Sequence, residues 1–586
     1  LLLYQFPPLT YLSITLQYTS MSTHGKTPTI TQKTKFIFVS GGVLSGLGKG
    51  ITAASLGLLL KNRGYSVTNI KCENYLNIDS GNINPIEHGD VFLCEDGLEA
   101  DLDLGSYERF LDQEVGQKNF TTLGQIYSTV IENTKNLAYG GATVDAWLYV
   151  PQEAISRIRK ASEGFDICLV ELGGTAGEYQ NQIYYEAYRI MNLENPDDTV
   201  HAHVTYFPNP SHINELKSKP TQLSVSALQS MGIQPDFIVG RGEFMIDEKR
   251  KEKVAFYSNM SKEDVISNPD LGSVYEVPPV LAAQGFDTKV LKKLNLPERK
   301  SDLTEWNNFI TKLNTEKKHT ASVAIIAKYL STGNFELKDS YVSLLESLNF
   351  AAIHGDTNLN ILFIKAEELE DPTSGAMEQL KKADGIIVPI GWGERGVEGK
   401  ISAIQYAREN KIPYLGLCYG MQLASVEFAR HVVGLENANS IEVDPATPYP
   451  IIHDIPFNER YQTIKGKGAS MRLGAYDCIL KPGTLAHKIY KKHDAFKDES
   501  KNLISERHRH RFEFNNEYRE QLENAGFVIS GTSPDDFFVE MIELPEKDHP
   551  FFIATQAHPE YKSKPLSPHP IFVEYLAAIL REQKKS

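Results

Sequence analysis

Lys35–Leu60, KFIFVSGGVLSGLGKGITAASLGLLL, runs from an apolar segment through a glycine-rich turn into an amphipathic stretch. This order predicts a β-strand, a phosphate-cradling loop and a helix N-terminus. The glycines let backbone N–H groups turn toward an anion, the helix dipole adds partial positive charge, and Lys49 can neutralise phosphate oxygens. The spacing departs from the common phosphate loop. Five residues separate Gly42 from Gly48, and Gly50 follows Lys49 where a magnesium-binding Ser or Thr is usual.

From Lys35 to about Leu296, short apolar runs alternate with helical segments, among them YSVTNIKC, FDICLVELGG, TVHAHVTYF and PDFIVGRG. Such alternation predicts a mainly parallel sheet covered by helices, an α/β fold. The run DICLVELGGTAGE reads as a buried strand that ends on Glu171 and then glycines. It places a carboxylate at the carboxyl edge of the sheet, where open α/β sheets bind ligands. Upstream, EDGLEADLDLGSYERF gathers acids around Asp101 and Asp103. Beside a phosphate loop, Asp103 and Glu171 would be hard oxygen ligands for Mg²⁺ on a triphosphate.

The chain has 586 residues, too many for one core, and 41% hydrophobic with 23% charged residues is ordinary globular composition. A net charge of −15 argues against nonspecific nucleic-acid binding, so any nucleotide site must be local. The five cysteines, Cys72, Cys94, Cys168, Cys418 and Cys478, lack metal-ligand spacing and suit a reducing, cytoplasmic setting. Residues 1–33 read as a poorly ordered extension: the first twenty are apolar and aromatic, but they lack a basic leading region and are broken by Pro7 and Pro8. Met21 reads as an alternative start, set against a short docking segment. No later stretch has the length and apolarity of a membrane span.

A charged, rather helical segment, PERKSDLTEWNNFITKLNTEKKHT, then connects to a second α/β series: SVAIIAKY, ILFIKAEEL, ADGIIVPIGWG and IPYLGLCYGMQLASVEFAR. Within it, Cys418 stands between an apolar strand and a helix, flanked by Gly416 and Gly420. A sharp strand-to-helix turn projects a nucleophile beside backbone N–H groups. Near the end, FFIATQAHPEYKS puts His558 and Glu560 just after another apolar strand. A histidine followed by a carboxylate is the pattern of a base and its orienter.

Taken together, the motifs SGGVLSGLGKG, EADLDLGSYERF, VELGGTAGE, KPTQLSV, GIQPDFIVGR, RGVEG, LGLCYGMQ, ENANSIE, RHRHRFE and HPEY resemble those of the CTP synthase family over about Lys35 to Arg581. The resemblance implies an amidoligase domain over 34–297, a linker over 298–320 and a class I glutamine amidotransferase domain over 321–586. The family aminates UTP to CTP with ATP and glutamine-derived ammonia, is usually tetrameric, and is activated by GTP. By position, Ser45, Gly46, Leu47, Gly48, Lys49 and Gly50 would hold ATP phosphates. Lys71 would assist at the transferred phosphoryl, Arg241 would contact adenine, and Asp103 and Glu171 would bind Mg²⁺. Lys217, Ser218, Lys219, Pro220, Thr221, Gln222 and Lys253 match UTP or CTP positions. Cys418, His558 and Glu560 match the catalytic set, and Gly391, Tyr419, Gln422, Glu442 and Arg511 match positions that hold glutamine or its oxyanion.

Several stretches depart from the family. Its VPGG reads VPIG here, with the β-branched Ile390 restricting any peptide flip that needs positive φ. Its KERRGDYLG reads ENTKNLAYGG, with Asn136 and Ala138 at the arginine and acidic positions, and its GDIE reads GEYQ, with Tyr179 and Gln180. Gln152 stands where a histidine is usual. These departures predict changed GTP activation and nucleotide handling. Three readings follow: a synthase with modified control, a weakened paralogue serving as a filament or scaffold component, and an amidoligase with another acceptor.

Overall fold

The computed structural model describes residues 33–83, 91–213, 215–328, 331–332, 335–336, 341–455, 463–465 and 469–585. The expectation for the leading extension therefore falls, up to residue 32, outside the described residues.

The first half is built on a seven-stranded sheet. Its strands are β1 (Lys35–Gly41), β2 (Val67–Glu73), β3 (Phe120–Thr122), β4 (Ile167–Leu172), β5 (Thr199–Tyr206), β6 (Phe237–Gly242) and β7 (Val265–Pro269). They lie in the order β3-β2-β4-β1-β5-β6-β7, and all of their pairings are parallel. Parallel strands need crossovers, and helices on both faces supply them. Helix α1 (Lys49–Lys61) follows β1, and α2 (Leu102–Leu111) packs on α1. The Asp101 side chain starts α2 by accepting the Asp103 N–H. Helices α3 (Lys219–Ser230) and α4 (Glu248–Ser258) flank the β5–β6 side.

The connection contains α5 (Thr304–Asn314), whose Trp306 and Phe309 are buried in the apolar cluster of the first half. That cluster also takes in Phe350, Ile353, Met471, Leu473 and Tyr561 from the second half. Apolar burial therefore continues across the join.

The second half centres on β8 (His319–Ala327), β9 (Thr357–Lys365), β10 (Gly385–Val388), β11 (Tyr414–Leu417), β12 (Ala469–Leu480), β13 (Leu503–His510), β14 (Val528–Thr532), β15 (Val539–Glu543) and β16 (Phe552–Thr555). The order β9-β8-β10-β11-β16 is parallel, while β16-β15-β14-β12-β13 is antiparallel. Helix α6 (Val397–Asn410) follows β10, and α7 (Tyr419–Phe428) follows β11. The carboxyl ends of β10, β11 and β16 thus stand side by side.

Among the described residues, no helix is long and apolar enough to cross a membrane.

Candidate functional sites

At the first site the backbone does what the glycine run predicts. After β1 the chain turns through Val43, Gly46 and Gly48, each with positive φ, and α1 starts on Gly48. Ser45 and Gly46 are exposed, whereas Leu47 is buried. Lys49 folds back beneath the loop, and its Nζ donates to the Gly174 carbonyl at 2.9 Å. Burial, with Lys71 nearby, lowers its pKa. Gly50 is fixed by packing, because a Cβ there would overlap the Asp103 carboxylate. The absence of Ser or Thr after Lys49 is thereby explained.

Lys71 and Glu171 are register partners on β2 and β4, with Lys71 Nζ 2.7 Å from Glu171 Oε1. Asp103 also accepts from Lys71, and Glu73 Oε1 is 3.2 Å away. The Tyr107 hydroxyl donates to Glu171. Burial alone would lower the Lys71 pKa, but Asp103, Glu171 and Glu73 outweigh it and hold the ammonium charged. Burial pushes Glu73 up to about 7. Asp103, Glu171 and Glu73 surround the Lys71 ammonium, with the Lys49 ammonium close by, and their oxygens are hard donors of the kind a divalent cation on a polyphosphate takes. The structure therefore brings together Lys49, Gly50, Lys71, Asp103 and Glu171. It adds Glu73 and Tyr107, which sequence reasoning missed. Glu73 lies two residues from Lys71 on one strand, and Tyr107 one helical turn from Asp103, so the periodicities could have found them.

The residues matched to nucleotide contacts are more dispersed. Ser218, Lys219, Pro220, Thr221 and Gln222 form the start of α3. There Thr221 Oγ1 donates to the Tyr206 carbonyl at 3.1 Å, and Gln222 Nε2 to Ser218 Oγ at 3.2 Å. Lys217 pairs with Glu215 at 3.1 Å, and Lys253 is exposed on α4. Arg241, at the end of β6, is held by the Asn268 and Pro269 carbonyls and by Asp270 at 2.8 Å. A buried chain links the loop to α3: Ser40 Oγ lies 2.8 Å from His203 Nδ1, and His203 Nε2 lies 2.6 Å from Ser224 Oγ.

At the second site Cys418 occupies the turn between β11 and α7, with φ 54° and ψ −100°. That backbone is strained for a side-chain-bearing residue. Tight packing imposes it: a Cβ at Gly420 would overlap the Val388 carbonyl, and one at Gly416 would lie 2.7 Å from Ala554 Cβ. The thiol is buried, 3.8 Å from the Arg509 carbonyl and 3.6 Å from Gln556 Nε2.

His558 follows β16, the parallel neighbour of β11, so strand pairing carries it to the cysteine. Its Nδ1 lies 2.7 Å from Glu560 Oε1, while among the described residues the buried Nε2 has no partner at hydrogen-bond geometry. Burial would lower the imidazole pKa, but the Glu560 carboxylate and the nearby Cys418 sulfur outweigh it, and His558 is pushed up to about 10. The arrangement can hold an imidazolium beside a nucleophilic sulfur.

A cavity of about 290 Å³ is lined by Glu442 and Arg511 with Trp392, Arg509 and Phe512, and the Arg509 carbonyl, 3.8 Å from the Cys418 thiol, connects it to this set. Opposite charges in one cavity suit the ammonium and carboxylate of an α-amino acid. Glu442 accepts the Gly393 N–H at 2.9 Å. Gln422 Nε2 donates to the Phe512 carbonyl at 3.0 Å, and the Tyr419 hydroxyl donates to the Gly393 carbonyl at 3.2 Å. A Cβ at Gly391 would lie 2.9 Å from Lys400 Nζ and 3.2 Å from Lys328 Cδ, so a side chain there would displace the Lys400 ammonium.

Glu99 and Gly81 of the first half close the same cavity. Arg509 Nε donates to Glu99 Oε1 at 2.6 Å, and its guanidinium stacks 4.5 Å from the Trp392 ring centroid. The RHRHR cluster is therefore largely an internal joint.

Among the departures, Ile390 is buried in one apolar cluster with Cys418, and neither Ile390 nor Gly391 has positive φ. Asn136, Ala138, Gln152, Tyr179 and Gln180 are exposed.

Comparison with known proteins matches residues 35–296 to the family described as CTP synthase N-terminus, and residues 336–578 to glutamine amidotransferase class-I. The chain is 49% identical over 549 residues to the CTP synthase of Caldanaerobacter subterraneus subsp. tengcongensis, covering 93% of this chain and 98% of the relative. It is 46% identical over 553 residues to that of Thermococcus gammatolerans, covering 94% and 99%. The solved glutaminase domain of Trypanosoma brucei CTPS with bound acivicin is 37% identical, covers 44% of this chain and 94% of its own, and aligns with a TM-score of 0.39.

Proposed function

The chain belongs to the CTP synthase family and joins that family's N-terminal domain to a class I glutamine amidotransferase domain, and on this premise we propose how its residues divide the reaction. ATP-dependent amination of UTP takes place at the Lys49–Lys71–Asp103 site within 34–297. Glutamine hydrolysis takes place at Cys418 within 321–586, with 298–320 as the connection. The observation that carries this reading is the convergence of Cys418, His558 and Glu560 beside a cavity lined by Glu442 and Arg511.

Glu442 and Arg511 hold the α-ammonium and α-carboxylate of glutamine. The Cys418 sulfur attacks the side-chain amide carbon, with the Gly391 and Tyr419 N–H groups facing the developing oxyanion. His558, charged beside Glu560, gives its proton to the departing ammonia, then accepts one from the water that releases glutamate.

At the other site the glycine-rich loop and Lys49 bind ATP phosphates, and Lys71 stabilises the phosphoryl group as it moves to the 4-oxygen of UTP. Ammonia then displaces that phosphate. Asp103 and Glu171 would hold Mg²⁺, whose charge would offset that of the triphosphate. The start of α3, with Lys217 and Lys253, takes the pyrimidine nucleotide, and Arg241 the adenine. We assign a cytoplasmic homotetramer on the family resemblance. The departures at Asn136 and Ala138 weaken GTP activation in this reading.

The test is CTP formation from UTP, ATP and Mg²⁺, with either ammonia or glutamine and with or without GTP. Product from both donors, with a small GTP effect, is expected. No product from either donor overturns the reading in favour of a scaffold.

A further inference from the structure

Lys400, on α6, is fully buried, and among the described residues no carboxylate pairs with it. A buried lysine without a counter-ion is costly, so its contacts call for a reason. Its Nζ donates to the Pro389 carbonyl at 2.9 Å and reaches the Ile390 carbonyl at 3.5 Å. It also lies 5.4 Å from the Tyr419 ring centroid. These contacts surround the segment after β10 that carries Gly391 and the first residue of α7.

The two faces of the sheet give the contacts a direction. Val397 and Ile401 of α6 share an apolar cluster with Tyr419, whereas Ile390 and Cys418 belong to the cluster on the other face. In a trans peptide the N–H points opposite to the C=O. With the Ile390 carbonyl turned toward Lys400, the Gly391 N–H is turned toward the Cys418 face. Ile390 restrains the same segment, since flipping the Pro389–Ile390 peptide would bring a β-branched residue to positive φ.

We propose that Lys400 is a positioning residue for glutamine hydrolysis: by holding the Pro389 and Ile390 carbonyls, it presets the Gly391 N–H as an oxyanion donor. The inference rests on the assignment of Cys418 as the glutaminase nucleophile. Burial and the neighbouring Lys328 bring the Lys400 pKa down to about 7, with Cys418 and Glu367 opposing them.

The experiment compares Lys400→Met with the parent chain in three assays. Glutamine hydrolysis is expected to lose kcat by about tenfold or more, with KM changed by less than about twofold, as expected of a weakened oxyanion donor. Glutamate γ-semialdehyde, which adds the cysteine thiol to give a tetrahedral hemithioacetal, should bind more weakly by a similar factor. Ammonia-driven CTP synthesis should be unchanged, which reports an intact fold. Lys400→Gln, whose amide can still donate, should fall between the two. Unchanged kcat, a loss confined to KM, or equal loss of ammonia-driven synthesis overturns the proposal. Cys418→Ala separates the premise: persistent glutamine hydrolysis there would refute the nucleophile assignment itself.

Discussion

The Asp103 carboxylate lies against Gly50 so closely that a Cβ on residue 50 would overlap it. Asp103 also accepts from Lys71, so the residue after the loop lysine, the acidic turn of α2 and the end of β2 form one contact. Gly50→Ser should displace Asp103 and lower both ammonia- and glutamine-driven synthesis by at least about tenfold, given how steeply rates depend on placement. Glutamine hydrolysis without nucleotides should persist. Full synthesis by the variant would show that this packing is not required.

Asp103→Asn keeps the shape but removes a charge from the set around Lys71. CTP formation with ammonia should fall steeply, and raising Mg²⁺ should restore part of it if Asp103 helps hold the cation. A defect insensitive to Mg²⁺ concentration would place Asp103 elsewhere in the reaction.

Cys418→Ala should abolish glutamine-driven synthesis and leave ammonia-driven synthesis near the parent rate. The two assays run on one preparation, and equal loss in both would contradict a division of labour between the halves.

His558 and Glu560 give a pH signature in stability. The folded-state pKa of His558, about 10, lies above the ordinary histidine value of about 6.5 in an unfolded chain. The group therefore binds its proton more tightly in the folded state. Its stabilisation is fully present below about pH 6.5 and is lost as pH rises through about 10. Glu560→Gln should lower the Tm most near pH 6 and progressively less toward pH 10. A constant difference across that range would refute the coupling.

Arg507 joins the halves. Its Nη2 bonds both Glu108 oxygens at 3.1 and 2.9 Å, its Nε lies 3.2 Å from Glu95, and its backbone carbonyl accepts the His558 N–H at 2.7 Å. Truncation leaves the Glu108 carboxylate buried without its guanidinium and held, among the described residues, only by the Val115 N–H, so Arg507→Ala should cost about 3–5 kcal/mol in urea unfolding. A loss below about 1 kcal/mol would mean that solvent or rearrangement replaces the joint.

Much of this was legible in the chain. Apolar runs of strand length, glycines at the turns and the polar residues just past each strand fixed two α/β halves, the phosphate loop and the Cys418 turn, because these are local patterns of backbone geometry. Parallel strands also bring their carboxyl ends to one edge, so Cys418 and His558 were expected neighbours. Other features depended on contacts far apart in sequence. The alternation in RHRHR puts Arg507 and Arg509 on one face of β13 and His508 and His510 on the other. Only the packed structure shows the arginines bonded to Glu108 and Glu99, and His508 3.6 Å from Glu540. Lys400 carries no local signal at all. Its burial and its grip on the Pro389 carbonyl arise where α6 crosses the end of β10, a tertiary contact that no window of the sequence contains.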